Sequence, residues 1–220
     1  YRFRRRLYPS MYLSGDFMDY FPIDDQRIGF YMADVSGHGA ASAFVTVMLH
    51  TLIVQYRDTL WQTEDQTILH PERVLQRLNR DYCRQNLEKH LTIFYGVIDQ
   101  QENILTYGSG GQFPYPLLYD GEDVQTLDCR GRPVGLFEDA VFHARQVDLP
   151  EAFDLVLVSD GVLELMSVDT LTRKCSAVLS QSEGTDLDLD AMTAGLDLLT
   201  DKRLPDDIAL MVIDRSSRHG

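Results

Sequence analysis

Four short acidic signatures stand where apolar, strand-like runs break into turns or helices: Ser14-Gly15-Asp16-Phe17, Asp34-Val35-Ser36-Gly37-His38-Gly39, Ser159-Asp160-Gly161 and Asp206-Asp207-Ile208. An Asp beside a Gly is an ordinary turn pair when it occurs once. Four apolar strands all ending in Asp within turns, two of them passing directly into helices, form a joint pattern. Carboxylates gathered in a partly buried cleft repel one another, so a fold that assembles them calls for divalent cations to neutralise the cluster. The pattern therefore points to a hard-metal site and directs the search for chemistry to these aspartates.

The rest of the composition narrows the classes. With 220 residues, 44% of them hydrophobic, the chain can bury a sizeable core and is read as one domain over 1–220. A formal charge of −14, from 34 acids against 20 bases, argues against nucleic acid or an anionic membrane as the default partner. Arg2, Arg4, Arg5 and Arg6 alternate with Tyr1, Phe3 and Leu7, which makes them the solvent face of a first strand rather than a basic arm. Cys83, Cys129 and Cys175 are odd in number and lack Cys-x-x-Cys spacing, so neither a disulfide framework nor a zinc site is expected, and a reducing cytoplasm fits. The apolar stretch from Ala40 to Val54 is interrupted by Ser42, Thr46, His50 and Thr51, and is too short for a bilayer core of about 30 Å. No signal peptide is visible, and the start at Tyr1 without Met suggests the C-terminal part of a longer regulated protein.

Along the chain, Tyr1 to Leu13 reads as extended, Asp24-Asp25 as a turn, and Gln26 to Asp34 as a strand. A helix follows Gly39 to about Leu60, with Ala41, Phe44, Met48, Leu52 and Tyr56 as its inward stripe and enough further apolar residues to bury most of it. Pro71 suits the first position of a second helix that turns Val74, Leu75, Leu78 and Tyr82 inward. From Leu91 to Val147 the period is two. Strands are expected at Leu91–Asp99, Asn103–Tyr107, Tyr115–Tyr119 and Val141–Val147, with Gly108-Ser109-Gly110-Gly111 as a turn-rich separator. Phe153–Val158 is a continuous apolar strand, Val162 to about Leu179 and Leu187 to Thr200 are helical, Ser180 to Asp186 is a polar loop, and Ile208–Ile213 closes as a strand. Helices in blocks around blocks of strands describe an α+β layered sandwich with mainly antiparallel sheets.

Five segments in order, Ser14-Gly15-Asp16-Phe17-Met18-Asp19, Asp34 to Gly39, Gly131-Arg132-Pro133-Val134-Gly135-Leu136, Leu157-Val158-Ser159-Asp160-Gly161-Val162-Leu163-Glu164 and Asp206-Asp207-Ile208-Ala209-Leu210, resemble the motifs of the SpoIIE/RsbU-like branch of the PPM metal-dependent protein phosphatases. The resemblance runs from about residue 7 to about residue 214. It implies a four-layer α-β-β-α sandwich of two antiparallel sheets flanked by helices, with two Mn²⁺ or Mg²⁺ ions. Carried over by position, it implies that Asp34 bridges both metals and Val35 offers its backbone carbonyl. Asp16 would bind the second metal, and Asp160 and Asp206 the first. Asp207 stands where more distant members have Asn and is placed behind the ligands. Asp19 would bind through water or cap the turn. Relatives often read Ala-Gly-His-x-Pro where this chain has Gly110-Gly111-Gln112-Phe113-Pro114, which removes a histidine from that loop and leaves the metal set intact.

The residue types suit the implied chemistry. Mg²⁺ and Mn²⁺ favour octahedral oxygen coordination and retain water, so a few Asp side chains and a carbonyl suffice. A water held by two such ions has its pKa lowered enough to attack a phosphoryl group in line, with no phosphoenzyme. Gly37 and Gly39 allow the strand to turn sharply into the following helix. His38 is weighed as a general acid or a backbone-bonded turn residue. Ser36 and Ser159 lack a Gly-x-Ser-x-Gly elbow and read as turn hydroxyls. Arg132 would meet a phosphate or a partner carboxylate, or remain solvated. The implied function is hydrolysis of phosphoserine or phosphothreonine on a protein, in this branch commonly a STAS-type anti-sigma-factor antagonist in bacterial partner switching, with a sensory or receiver domain upstream. A non-catalytic binding module of the same fold and a di-metal phosphoesterase acting on a small molecule such as a nucleotide are the rival readings.

Overall fold

The computed structural model of the chain describes residues 1–10, 12, 14–37, 39–63, 65–85, 89–181, 189–198 and 204–215. In chain order its elements are β1 (Arg2–Tyr8), β2 (Asp16–Pro22), β3 (Arg27–Val35), α1 (Ala40–Thr63), a 3-10 turn (Gln66–Leu69), α2 (Pro71–Gln85), β4 (Leu91–Asp99), β5 (Ile104–Gly110), β6 (Leu117–Tyr119), β7 (Val124–Thr126), β8 (Ala144–Asp148), β9 (Phe153–Val158), a second 3-10 turn (Asp160–Glu164), α3 (Val168–Gln181), α4 (Leu189–Gly195) and β10 (Ile208–Arg215). The class is the expected one, α+β with two antiparallel sheets and helices. The chain divides into two compact units: a central one of Met11–Gln112 with Cys129–Asp148, and a terminal one of Tyr1–Ser10, Phe113–Asp128 and Leu149–Gly220.

The central unit carries the sheet β2-β3-β4-β5-β8, antiparallel throughout. Side chains alternate across a strand, and one face of this sheet, with Tyr31, Ala33 and Val35 of β3 and Ile93, Tyr95 and Val97 of β4, shares a core with α1 and α2. The other face, with Met18, Phe30, Met32, Phe94 and Ile98, is equally buried. Helix α2 is built as the sequence implies: Pro71 opens it, and Val74, Leu75, Leu78 and Tyr82 are buried at helical spacing. Buried phenols place their hydroxyls on backbone carbonyls, Tyr95 on Ile68 at 2.7 Å and Tyr82 on Val45 at 3.2 Å.

Helix α1 corrects the expectation. Its buried face is Ser42, Val45, Thr46, Leu49, Ile53 and Tyr56, whereas Phe44 is 76% exposed and Val47 63%. The helix has two apolar stripes, so periodicity alone does not choose between them. The buried stripe is the one that brings the small polar residues Ser42 and Thr46 inward, where Thr46 bonds the Ala43 carbonyl and Ser42 the Ser36 carbonyl. The Gly108-Ser109-Gly110 segment lies within β5 rather than separating strands. A Cβ at Gly110 would come within 2.8 Å of Val134 and 2.9 Å of Ile93, so the glycine marks a close approach inside a strand. The strand expected at Val141–Val147 forms at Ala144–Asp148, and β2 and β7 were not anticipated.

The terminal unit carries the sheet β1-β10-β9-β6-β7, also antiparallel. Its core joins Val156 and Val158 of β9 and Ile208, Leu210 and Val212 of β10 to Leu171, Cys175 and Leu179 of α3 and Met192 of α4. Burial pushes the Cys175 thiol up to about 12, as suits an inert core residue. The helix expected from Val162 opens as the Asp160–Glu164 3-10 turn. The α-helix itself begins at Val168, where Ser167 Oγ accepts the Thr170 amide at 3.3 Å. Of the helix expected over Leu187–Thr200, Leu189–Gly195 forms α4; most of the polar loop expected at Ser180–Asp186 lies outside the described residues. The three cysteines are free thiols. No helix among the described residues is long and apolar enough to cross a membrane.

Candidate metal centre

In the central unit, Asp16 opens β2 and Asp34 stands near the end of β3, and the two are direct cross-strand partners. Partners in register project to the same face. Asp16 is 3% exposed. Like charges directly opposite one another destabilise a strand pair, a cost that a cation bound at this end of the sheet would lower. A Cβ at Gly15 would lie 2.9 Å from the Val35 carbonyl oxygen, 3.2 Å from that of Gly37 and 3.5 Å from Asp34 Oδ1. Glycine at 15 thus lets its backbone approach two carbonyls and a carboxylate closely, and oxygen donors of this kind suit Mg²⁺ or Mn²⁺. The Val35 amide bonds the Gly15 carbonyl at 3.2 Å and ties the two turns together.

The turn after β3 is braced from below. Gly37 and Gly39 have φ of 79° and 82°, the left-handed region that glycine reaches without strain, and α1 begins immediately after. Lys89 Nζ donates to the Ser36 carbonyl at 2.7 Å and to Ser42 Oγ at 3.4 Å. Ser36 Oγ accepts the His90 amide at 3.2 Å, and the Ser36 amide donates to the His90 carbonyl at 2.9 Å. Ser36 is therefore a turn hydroxyl, as its surroundings in sequence suggest. Lys89 has no sequence signal, since nothing in its local pattern links it to a turn more than fifty residues earlier. His38 lies outside the described residues.

In the terminal unit, Ser159 and Asp207 weld the ends of β9 and β10. The Ser159 amide bonds the Ala209 carbonyl at 3.0 Å, and Ser159 Oγ accepts the Ala209 amide at 2.8 Å. A Cβ at Gly161 would stand 1.9 Å from the Asp207 carbonyl oxygen, so no other residue fits where this turn crosses the start of β10. The crossing sets Asp160 beside Asp206. Shielding from water, with the Asp206 charge second, holds the Asp160 carboxyl above the ordinary aspartate range, although the residue keeps an exposed edge. Asp206 is exposed and accepts the Asp207 amide at 2.8 Å. Asp207 is buried and occupied: its Oδ1 accepts the Ser10 amide at 2.7 Å and the Ser10 hydroxyl at 2.8 Å.

Asp19 is not brought to Asp16 and Asp34. Three positions along β2, it shares the helix-facing side with Phe17 and Phe21 and lies 3.5 Å from His50 Nδ1 on α1. Arg132 is exposed, with Phe137 beneath its guanidinium at 5.2 Å and Asp139 at 3.4 Å. Its Gly-Arg-Pro-Val-Gly segment is held to β4 by reciprocal Leu91–Val134 backbone bonds of 3.0 and 2.9 Å, and Gly131 packs where a Cβ would meet the Ser109 carbonyl at 2.3 Å. Among the described residues, no three His, Cys, Asp or Glu side chains are gathered as a ready-made ion cage.

Two antiparallel sheets with helices and aspartates at the strand ends define a PP2C-type domain. The PP2C domain of SiaA from Pseudomonas aeruginosa matches with a TM-score of 0.78, over 97% of this chain and 86% of that one, at 17% identity. RsbX, solved in complex with magnesium, matches with a TM-score of 0.69 over 97% and 96% at 14% identity. Likeness at such identities concerns the fold. In sequence, the phosphoserine phosphatase RsbP of Bacillus subtilis (strain 168) is 32% identical over 160 residues, which are 70% of this chain and 38% of RsbP. The profile of the stage II sporulation protein E family matches residues 24–216, and the chain belongs to this SpoIIE family, within the SpoIIE/RsbU-like PPM-type protein serine/threonine phosphatases.

Proposed function

We propose that the chain is the catalytic domain of a divalent-cation-dependent phosphatase that hydrolyses phosphoserine or phosphothreonine on a protein. The observation that carries this reading is the buried Asp16, set directly opposite Asp34, beside a Val35 carbonyl that Gly15 leaves uncovered. The donor set is all oxygen and negatively charged, which suits Mn²⁺ or Mg²⁺ and not zinc.

Asp16, Asp34 and the Val35 carbonyl would hold one ion, and Asp160 and Asp206 would hold a second. Bound divalent ions lower the pKa of coordinated water towards neutrality and neutralise charge on a phosphoryl group. Asp34 would orient that water, and Asp207 would keep Asp206 in place through its bonds to Ser10. Ser36 and Ser159 are committed to backbone partners, which supports direct attack by water over a phosphoserine intermediate. Lys89 positions the turn that carries Asp34, through the Ser36 carbonyl.

RsbP acts on phosphoserine, and its likeness to this chain supports a phosphoprotein substrate. We take that substrate to be a STAS-type anti-sigma-factor antagonist, with the two units serving one phosphatase domain behind a sensory or receiver domain in the cytoplasm. The test is hydrolysis of a phosphorylated STAS-domain protein with and without Mn²⁺. Asp34→Asn should lower kcat/KM by about 10³-fold, several kcal/mol of transition-state stabilisation, without lowering Tm. Full activity in that variant overturns the reading, and turnover of nucleotides but not phosphoproteins replaces it with a small-molecule phosphoesterase.

A further inference from the structure

Helix α2 carries Arg73, Arg77, Arg80 and Arg84 at spacings of four, three and four, which places all four guanidiniums on one face. Like charges at these spacings cost an isolated helix roughly 0.2–0.5 kcal/mol per pair. The chain nevertheless concentrates them here while carrying a net charge of −14. They line a groove of about 900 Å³ between α1 and α2, together with Gln55 and Gln76. Its volume falls in the range of small-molecule sites, which bury ligands in clefts of about 300–1,000 Å³.

Part of the groove is pre-organised. Arg77 is held by Asp65 at 3.0 Å and lies over the Tyr56 ring at 4.4 Å from its centroid. Asp65 is itself fixed by Thr67, whose amide and hydroxyl it accepts at 2.9 and 2.6 Å. Asp81 accepts the Tyr56 hydroxyl at 2.7 Å. Asp65 and Asp81, the acids among the described lining residues, are thus engaged within the groove. Arg80 and Arg84 are exposed and form no ion pair with another described residue. One held fork, Arg77, with Arg73 beside Glu72 at 3.9 Å and two further forks at Arg80 and Arg84, along about 16 Å of helix, match oxyanions spaced along a compact ligand.

We propose that this groove binds a compact polyanion carrying two or more phosphate groups. The charge distribution decides the size of the ligand. A long polyanion such as nucleic acid would overlap the acidic remainder of the surface and be repelled, whereas a short one meets only the arginines. Phosphate is favoured over a carboxylate peptide because the groove offers charged forks and amides with few apolar anchors: among the described residues, Leu52 and Tyr56 are its only apolar lining.

Inorganic tripolyphosphate is the probe, titrated calorimetrically into the protein in metal-free buffer, where the candidate metal centre has no cation through which to hold phosphate. Saturable one-to-one binding is expected, weakened at least tenfold in Arg80→Gln/Arg84→Gln and unchanged in Arg173→Gln/Lys174→Gln on α3, which removes the same charge outside the groove. Glutamine keeps the helix propensity, and an unchanged circular dichroism melt certifies the fold. Absent binding at millimolar tripolyphosphate, binding indifferent to Arg80 and Arg84, or tighter binding of an oligoglutamate peptide each overturns the proposal. None of these outcomes depends on whether Asp34 supports hydrolysis.

Discussion

Strands β9 and β10 set two aspartates side by side at each end, and the terminal unit treats the two pairs in opposite ways. At one end Asp154 and Asp214 are cross-strand partners. There β1 supplies Arg2, 2.7 Å from Asp214 Oδ2, and Arg4 on the other carboxylate oxygen. At the far end, Asp160 and Asp206 form no ion pair with another described residue, and the nearby charges that act on Asp160 are the acids Asp206 and Glu164. Yet β1 runs beside β10 along its length. Opposite the start of β10 it brings Leu7 and Tyr8, followed by Ser10, where at the other end it brings arginines. The same strand that neutralises one acidic pair brings no arginine to the other, which is the contrast expected if the second pair is the one proposed to take up a cation.

The largest expected effect breaks that contrast at its functional end. Asp160→Asn should cost about 10³-fold in Mn²⁺-dependent hydrolysis of an aryl phosphate, since the charge stabilisation an ion supplies is worth several kcal/mol. Asp154→Asn, a chemically identical change on the same strand, should leave the rate within twofold. Equal losses in the two variants, or full activity in the first, would remove the distinction between the ends.

Next in size is the removal of the internal cation. Asp214 is 3% exposed, and leaving a buried charge without its partner costs about 3–5 kcal/mol. Arg2 remains bonded to the other oxygen, so Arg4→Met should fall near the lower figure, about 3 kcal/mol by urea denaturation. Activity per folded molecule should be unaffected. A loss below 1 kcal/mol would mean that Arg2 alone satisfies the pair.

These two ends were not equally legible in the sequence. Asp160 and Asp206 announce themselves because each follows or precedes an apolar strand within a turn motif, and strands such as Leu91–Asp99 and Phe153–Val158 are visible from period and apolar continuity. Asp154 and Asp214 sit inside strands, and nothing local says that they face each other. That depends on the β9–β10 register, a long-range property. The arginines of β1 read as a solvent face for the same reason, since their acids lie more than two hundred residues away. Lys89 and the Arg80/Arg84 groove are likewise products of packing. The second apolar stripe of α1 shows the remaining limit: Phe44, Met48 and Leu52 satisfy a helical period as well as Val45, Leu49 and Ile53 do, yet Phe44 is exposed and Met48 and Leu52 are only partly buried at the edge of the core, because the neighbouring sheet takes the other stripe.

The smallest expected effect sharpens the comparison through pH. Burial first, and the Asp214 charge second, push the Asp154 carboxyl up to about 6, against the pull of Arg4 and Arg2. The folded state therefore binds this proton more tightly than the unfolded chain, whose value is near 3.8. The resulting stability is complete below that value and is lost as pH rises through about 6. Asparagine has no proton to lose. Asp154→Asn should match the wild type near pH 4 and exceed it above pH 7 by about 1–2 kcal/mol, a figure reduced for partial solvent access. Paired denaturation curves at pH 4, 6 and 8 measure the gap. A gap that stays constant with pH, or a wild type that is the more stable at pH 8, would show that Arg2 and Arg4 already hold both carboxylates ionised. In an Arg4→Met background the gain at pH 8 should widen, because one of the two cations that temper the acids is gone while Arg2 remains.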